Sequence, residues 1–329
     1  MKLDSILLSD RVFSSDRYKS KHSFASVDCL GIDTPAKSDN FLLTLKINET
    51  KNDKILNATS KIDNVNYILK YGTQAKENLF LHDYHMLQHL STIKEMVPYI
   101  PKCRDPIPFA NNLYTIYEKP DGCTLHEMLS AYGVPTQPVV RYLFSNILRA
   151  VSILHSNSIA HRNLTLDNII VSCSKHTISI CNYEYATKDC KVHTDEKCGS
   201  AEYFCPKALL YYPKEKDSYS LGVLLFLLSL GMKITQNIEK KVAYHSESLQ
   251  FINNKWSNRK NWKILQKMLR SNNTSPDETT ALKDVLLNLL SRSADARQSP
   301  INVLSTLWIT DFHTASSKEL DDYFKNEQK

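Results

Sequence analysis

The chain has 329 residues, of which 42% are hydrophobic and 23% charged, and its formal net charge is +6. This length and composition suit a folded protein with well-buried cores and exclude a chain that is disordered throughout. Lys and Arg are interspersed with Asp and Glu rather than clustered, which favours a solvated surface over a nucleic-acid-binding patch.

No membrane-spanning or secretory segment is expected. The N-terminal apolar run ends at Ser9-Asp10, too early for a signal peptide, and the strongest apolar run, residues 221–230, is far shorter than the roughly 20 residues that cross a bilayer. We therefore expect a soluble cytoplasmic or nuclear protein with no membrane partner. The chain has eight cysteines but no Cys-x2-Cys pair, which indicates free thiols. Cys190, His193 and Cys198 have a spacing that could suit a metal ligand set, but we favour loop and core thiols over a metal site.

The first part of the chain predicts an extension followed by a small sheet. Residues 1–39 have few periodic apolar positions, which predicts a flexible N-terminal extension. Three short aliphatic runs, residues 41–47, 54–58 and 65–70, are separated by polar turn residues, as in an antiparallel meander. Apolar residues at spacings of three and four then predict an amphipathic helix over residues 79–90.

A strand is predicted over residues 113–118, and the turn residues 119–122 that follow mark a boundary between two lobes. A short helix is expected from Leu125. A longer helix opens at Thr136 and Pro138 and keeps a 3.6-residue period to Leu154.

Two segments after this helix carry the chemistry. The first reads His161-Arg162-Asn163-Leu164-Thr165-Leu166-Asp167-Asn168, and the second reads Cys181-Asn182-Tyr183-Glu184. They resemble the His-Arg-Asp-Leu-x-x-x-Asn and Asp-Phe-Gly segments of protein kinases, which supply the catalytic base and hold Mg²⁺. Further kinase-like landmarks follow in matching order at residues 199–207, 217–223, 294–297 and 304–309.

The resemblance to the protein kinase superfamily covers about residues 41–312. It implies an α+β, bilobal, protein-kinase-like fold, with a small antiparallel β-sheet N-lobe that carries helix C and a mainly helical C-lobe. The domains implied are an N-terminal extension (1–39), an N-lobe (40–118), a C-lobe (119–312) and a C-terminal tail (313–329).

The resemblance also places the functional residues. Asn163 stands at the position of the catalytic base, with His161, Arg162 and Thr165 beside it, and Asn168 and Asn182 stand at the metal positions. The residues that would line a nucleotide cleft are Ile55, Ile68, Lys70, Asp83, Tyr117, Glu118 and Ile170. Among these, Lys70 and Asp83 are expected to form the ion pair between the third strand and helix C.

Departures from the kinase pattern affect every part of the reaction. An amide at Asn163 cannot act as the general base, a contribution of about 10²–10⁴-fold, and Thr165 replaces the lysine that contacts the transferred phosphate. Asn182 offers Mg²⁺ a neutral oxygen where the ion prefers a carboxylate. Ile68 replaces the small residue that faces adenine, and the phosphate-binding glycines are replaced by Asn48, Thr50 and Asp53. We therefore expect weak or absent binding of ATP and Mg²⁺ and no required cofactor.

Two functions remain open from the sequence. The first is a pseudokinase that binds other signalling proteins. The second is a weakly active serine/threonine kinase that uses Lys70 with Asn168, Asp167 or an unusual base.

Within the superfamily, the chain is most similar to the branch that contains serine/threonine-protein kinase 40 and the Tribbles relatives. Members of that branch recruit a ubiquitin ligase through a C-terminal Val-Pro motif. Residues 310–329 lack this motif, so the partner, a kinase, a ubiquitin ligase or another signalling protein, stays open.

One charge reversal predicts a local change of order. Lys207 replaces the glutamate that ends the activation segment and that pairs, in the family, with the arginine at position 297. The resulting like-charge contact predicts a mobile segment from Thr187 to Ser200.

Overall fold

The computed structural model describes residues 30–31, 42–46, 55–60, 64–71, 74–109, 112–190, 198–205, 212–232, 252 and 256–325. The chain divides into two compact units. One contains the described residues up to Leu81 together with Lys102–Lys119, and the other contains His82–Pro101 and the described residues from Pro120 onwards. The domain limits inferred from the sequence stay a prediction.

The first unit is built on an antiparallel sheet with the strand order β1-β2-β3-β4-β6-β5. Its strands are β1 (Leu30–Gly31), β2 (Leu42–Lys46), β3 (Ile55–Ser60), β4 (Asn66–Lys70), β5 (Cys103–Phe109) and β6 (Asn112–Glu118). The meander predicted from the three aliphatic runs forms β2 to β4, with Leu45 opposite Ala58 and Leu56 opposite Leu69. Buried side chains of Ala58, Tyr67, Leu69 and Ile116 form its core.

Strand β5 was not predicted. It contains Pro106 and Pro108, which remove two backbone donors, and its register against β6 shifts between Arg104 and Ile107. Such a sequence is tolerated because, among the described strands, β5 lies at the edge of the sheet and pairs with β6 alone.

Helix α1 (Gln74–Ser91) contains the predicted amphipathic segment and begins five residues before it, because Gln74, Ala75, Lys76 and Glu77 all favour helix. The division between the two units falls within this helix.

The second unit is mainly helical. Its helices are α2 (Leu125–Tyr132), α3 (Gln137–Ser156), α4 (Pro213–Leu230), α5 (Arg259–Ser271), α6 (Pro276–Leu289), α7 (Pro300–Val303), α8 (Leu307–Thr310) and α9 (Ser317–Lys325). A small antiparallel sheet joins β7 (Cys123–Thr124), β8 (Ile169–Val171) and β9 (Ile178–Ile180). The α+β prediction is confirmed. Among the described residues, none of the helices is both long enough and apolar enough to span a lipid bilayer.

Helix α4 is the centre of this unit, and nearly all of its side chains are buried. Gly222 allows close packing against α6, because a Cβ at this position would come within 2.9 Å of the Leu289 Cβ and 2.8 Å of the Leu290 side chain. This close contact fixes the position of α4 against α6. Helix α4 carries Asp217, whose side chain supports the loop that begins at His161.

The C-terminal residues of the second unit pack on α2 and α3. Arg141 of α3 is fully buried, donates to the Trp308 and His313 carbonyls, and pairs with Glu278. Within the predicted tail, residues 317–325 form α9, and the Tyr323 hydroxyl donates to the Gly133 carbonyl at 2.8 Å.

Candidate functional site

The loop that carries residues 161–168 lies between α3 and β8, and Asp217 of α4 holds its first residues. The fully buried Asp217 carboxylate accepts the backbone N–H groups of His161 at 2.8 Å and Arg162 at 2.7 Å, and it contacts His155 Nε2 at 3.0 Å. Burial alone would raise the pKa of Asp217, but the His155 hydrogen bond, the neighbouring histidines and the Arg162 N–H hold it below its ordinary value. The ionised carboxylate thus supports Arg162 at φ +65°, a region that non-glycine residues rarely adopt.

Asn163, at the position of the base, is bonded to the end of the activation segment. Its Oδ1 accepts the backbone N–H of Ser200 at 3.0 Å and the Ser200 hydroxyl at 3.3 Å. Gly199 permits this approach at φ +81°, since a Cβ there would lie 2.8 Å from both the Arg162 carbonyl oxygen and Asn163 Oδ1. The amide oxygen therefore acts as a hydrogen-bond acceptor for Ser200, and an amide does not take up a proton near neutral pH.

The two metal positions are joined by a direct hydrogen bond. The Asn182 Nδ2 donates to Asn168 Oδ1 at 2.5 Å, and the Asn168 Nδ2 donates to the Asn163 carbonyl at 2.8 Å. We call Asn163, Asn168 and Asn182 the asparagine cluster. The side chains of this cluster are all neutral amides. The Asn168 Oδ1, at a metal position, already accepts an N–H of the Asn182 amide. Across the part of the chain that the structure describes, no group of three or more His, Cys, Asp or Glu side chains is placed to hold a metal ion.

The segment after β9 is anchored to α1 within the second unit. The buried Asp83 carboxylate accepts the backbone N–H of Tyr183 at 2.8 Å, and His82 Nε2 donates to the Ala186 carbonyl at 2.7 Å. Asp83, which the sequence predicted as a partner for Lys70, thus holds the segment after β9 through Tyr183. The Lys70–Asp83 pair stays a prediction.

His161 links this segment to the catalytic loop. Its Nε2 donates to the Cys181 carbonyl at 3.0 Å, its Nδ1 accepts the Asn163 N–H at 3.2 Å, and its ring packs edge-on against Tyr183 with centroids 4.7 Å apart. Burial lowers the pKa of His161 and outweighs the opposing effect of Asp217. A neutral imidazole matches this arrangement, in which one nitrogen donates and the other accepts.

Lys70, in the first unit, lies among aromatic rings. Its side chain is 7% exposed, and its Nζ lies 5.1 Å from the Tyr117 ring centroid and 5.9 Å from that of Phe80. Cation–π contacts of this kind stabilise a buried ammonium group.

The remaining predicted cleft residues are placed on strands. Ile68 lies opposite Tyr117 in the sheet and is half-buried, and Glu118 pairs with Lys102 at 3.3 Å. Ile55 lies opposite Lys70 in β3, and its side chain is outside the described residues. In the second unit, Ile170 is half-buried on β8 and Thr165 is buried.

Some predicted features fall outside the described residues. These are Asn48, Thr50, Asp53, Lys207 and half of the segment predicted to be mobile, namely residues 191–197. Arg297 itself donates to the backbone carbonyls of Ser291 at 2.8 Å, Glu215 at 3.1 Å and Arg292 at 3.4 Å. The predicted contact between Lys207 and Arg297 stays a prediction.

The sequence reasoning missed a buried lysine beside the site. Lys216 Nζ donates to the Cys198 carbonyl, lies 3.6 Å from the Cys198 Sγ and sits over the Phe204 ring at 3.7 Å. Burial lowers the pKa of Lys216 to about 8. No pattern in the sequence marks this lysine, because most helical lysines are exposed.

Comparisons with known proteins identify related sequences. A sequence model of the protein kinase domain matches residues 53–309. The chain is 26% identical over 163 residues to the serine/threonine-protein kinase SCH9 of Saccharomyces cerevisiae, which covers 47% of this chain and 20% of that protein. It is 24% identical over 242 residues to the probable serine/threonine-protein kinase 2 of Plasmodium falciparum, covering 69% and 43%. It is 34% identical over 140 residues to the serine/threonine-protein kinase kin-29 of Caenorhabditis elegans, covering 41% and 17%. The matches span less than half the length of each of these relatives.

Proposed function

Because this chain belongs to the protein kinase family, we propose that it is a catalytically impaired serine/threonine kinase homologue, a pseudokinase that acts as a protein-binding scaffold or regulator in signalling. The observation that carries the proposal is the asparagine cluster. Where the family's reaction needs a base and two magnesium ligands, this chain has three neutral amides: Asn182 donates to Asn168, Asn168 donates to the Asn163 backbone carbonyl, and the Asn163 side chain accepts from Ser200.

The residues present do not fit magnesium well. Mg²⁺ is a hard cation that demands near-octahedral oxygen coordination and is normally held by carboxylates. In the asparagine cluster the Asn168 Oδ1 is engaged by the Asn182 amide, so binding would have to break this hydrogen bond and offer only neutral oxygens in return. Loss of the ion removes the group that neutralises the charge of the transferred phosphate.

The proton-transfer step lacks its acceptor as well. The substrate hydroxyl must lose a proton as it attacks, and a positioned base speeds such a step by about 10²–10⁴-fold. Asn163 supplies no basic atom, and its Oδ1 already accepts two hydrogens from Ser200. Asp167, the nearest carboxylate in the loop, is exposed and lies 3.8 Å from the His126 ring.

The retained residues serve architecture rather than chemistry in this proposal. Asp217 holds the loop, and Asp83 and His161 hold the segment after β9. A folded framework that lacks the catalytic groups suits a protein-binding role, as in the Tribbles branch that the sequence resembles. We propose other signalling proteins as partners, with a kinase or a ubiquitin ligase among them, in the cytoplasm or nucleus.

A weakly active serine/threonine kinase is the second candidate. It is favoured by the preserved loop framework around Asp217, by the retained Lys70, and by relatives whose names all describe serine/threonine-protein kinases.

Thermal unfolding with ATP, in Mg²⁺ or in EDTA, separates the two candidates. A ligand at about 100 times its dissociation constant stabilises a folded protein by about 2.7 kcal/mol. We expect no difference between Mg²⁺ and EDTA for the unmodified chain, and a magnesium-dependent rise in the melting temperature for Asn182→Asp, which restores a carboxylate ligand. Lys70→Ala in the Asn182→Asp background is the control that should abolish that rise. A clear magnesium-dependent rise in the unmodified chain would favour the active kinase.

A further inference from the structure

A cavity separate from the asparagine cluster lies in the second unit. It has a volume of about 550 Å³ and is formed where the end of α3, the first turns of α4 and the start of α7 meet. We call it the α3–α4 cavity. None of the three residues of the asparagine cluster lines it. The volume falls within the range of about 300–1,000 Å³ that is usual for ligand sites.

Two cationic side chains in the wall have only neutral acceptors. Lys214 Nζ donates to the His155 carbonyl at 2.5 Å, and the Arg297 guanidinium donates to three backbone carbonyls. Within the described residues neither side chain has a carboxylate partner, although a carboxylate is a much stronger acceptor for such a cation than a carbonyl. The wall therefore offers two positive charges to an incoming anion.

Glu215 is the acidic residue of the wall, and within the described residues its carboxylate forms no ion pair with Lys214 or Arg297. Its Oε2 is buried away from solvent and accepts no hydrogen bond from the residues that the structure describes. Counting Lys214 and Arg297 against Glu215, the Lys, Arg and Glu side chains of the lining carry an excess of one positive charge.

The wall also contains serines and three apolar residues. Ile153, Pro300 and Ile301 contribute aliphatic surface, and Ile301 is 59% exposed. Because the apolar surface of Ile301 extends into solvent, a molecule enclosed in the cavity would leave part of it uncovered. An extended chain that crosses the rim would cover it.

We propose that the α3–α4 cavity is a docking site for a short acidic peptide segment of a partner protein. An aliphatic side chain of the segment packs on Ile153, Pro300 and Ile301, and a neighbouring Asp or Glu pairs with Lys214 and Arg297. The proposal rests on the scaffold function proposed above, to which it adds the place and the chemistry of one interaction.

The test uses the full chain and a phage library of random dodecapeptides, followed by fluorescence anisotropy with the selected peptides. The first variant pair is Ile301→Asp and its control Leu307→Asp, because Leu307 is 65% exposed and lies outside the cavity wall. The second pair is Lys214→Gln, whose amide retains a donor for the His155 carbonyl, and its control Arg149→Gln, an exposed residue of α3.

We expect the selected peptides to combine an Asp or Glu with a nearby Leu, Ile or Val. Ile301→Asp should weaken their binding by about tenfold, the change that corresponds to loss of one well-packed contact. Lys214→Gln should weaken binding and reduce its dependence on salt, because an exposed ion pair is screened over about 10 Å at 0.1 M salt. The two control variants should bind as the unmodified chain does.

Three results would overturn the proposal. They are a selection without acidic and aliphatic residues, peptides that bind Ile301→Asp and the unmodified chain equally, and binding of free succinate without binding of any peptide. The outcome is separate from that of the proposed function. Phosphate transfer by a chain that still binds peptides through Ile301 would refute the pseudokinase assignment and leave the docking site in place.

Discussion

Replacing Asp217 by asparagine tests how the catalytic loop is held. The fully buried carboxylate accepts N–H groups from His161 and Arg162 and contacts His155, and its pKa is held below the ordinary value. In Asp217→Asn one acceptor oxygen becomes an NH₂ group that faces a backbone donor. At least one of these buried donors then loses its partner.

The expected loss of stability follows from these contacts. Hydrogen bonds to a charged group contribute about 1.5–3 kcal/mol each, and an unsatisfied buried donor costs about 1–3 kcal/mol. Since the side chain keeps its shape and one acceptor, we expect Asp217→Asn to lower the free energy of unfolding by about 3 kcal/mol. The exposed Asp167→Asn should change it by less than about 0.5 kcal/mol.

Urea unfolding followed by tryptophan fluorescence measures both variants, since Trp256, Trp262 and Trp308 are buried. The pH dependence supplies a second check. Because the folded pKa of Asp217 is depressed, its contribution is complete above the ordinary value of 3.8 and is lost as the pH falls through the folded value. The difference between the unmodified chain and Asp217→Asn should therefore shrink in strong acid. Equal stability of the two proteins at neutral pH would refute the role given to this carboxylate.

Three further changes follow from the same contacts. Tyr183→Phe should raise the free energy of unfolding by about 1 kcal/mol, because the fully buried Tyr183 hydroxyl has no hydrogen-bond partner among the described residues, and a loss in urea unfolding would contradict this. Burial lowers the folded pKa of Lys216 from 10.5 to about 8, so between pH 8 and 10.5 the unfolded chain binds more protons than the folded chain. The free energy of unfolding therefore rises with pH in this window. Lys216→Met should remove that rise, and an unchanged pH profile would count against this account. The folded pKa of His161 is also lowered, so below pH 6.5 the unfolded chain binds more protons and the free energy of unfolding falls as the pH falls. His161→Phe keeps a ring against Tyr183 and should show a shallower fall of the melting temperature with decreasing pH. An identical slope of melting temperature against pH would be inconsistent with a buried neutral imidazole.

Periodicity and motifs were sufficient for the elements that position the site. The 3.6-residue pattern before residue 154 gives α3, and the alternating runs give β2 to β4. The kinase-like landmark at residues 217–223 begins at Asp217, whose carboxylate holds the catalytic loop. These predictions rest on residues that are close together in the sequence.

Contacts between distant segments were beyond the sequence. Asn163 and Ser200 are 37 residues apart, and no pattern in either segment predicts that the Asn163 amide oxygen accepts the Ser200 N–H and hydroxyl. The burial of Lys216 likewise depends on Cys198 and Phe204, which the fold brings beside it. Such contacts follow from tertiary packing.

Helix α6 was within reach of the sequence and was not predicted. Ser275 accepts the Glu278 N–H at 3.1 Å and Pro276 opens the helix, which is a start signal visible in the letters Ser-Pro-Asp-Glu. These letters predict a helix that starts after Ser275 without any reference to the kinase landmarks.

Phosphate transfer from radiolabelled ATP to serine peptides tests the loss of catalysis most directly. With Mg²⁺ present, we predict that the unmodified chain transfers label no faster than Lys70→Ala. The reason is that asparagines stand at the position of the base and at both metal positions. Transfer at the rate of about 1–100 s⁻¹ typical of protein kinases, abolished by Lys70→Ala, would contradict this prediction.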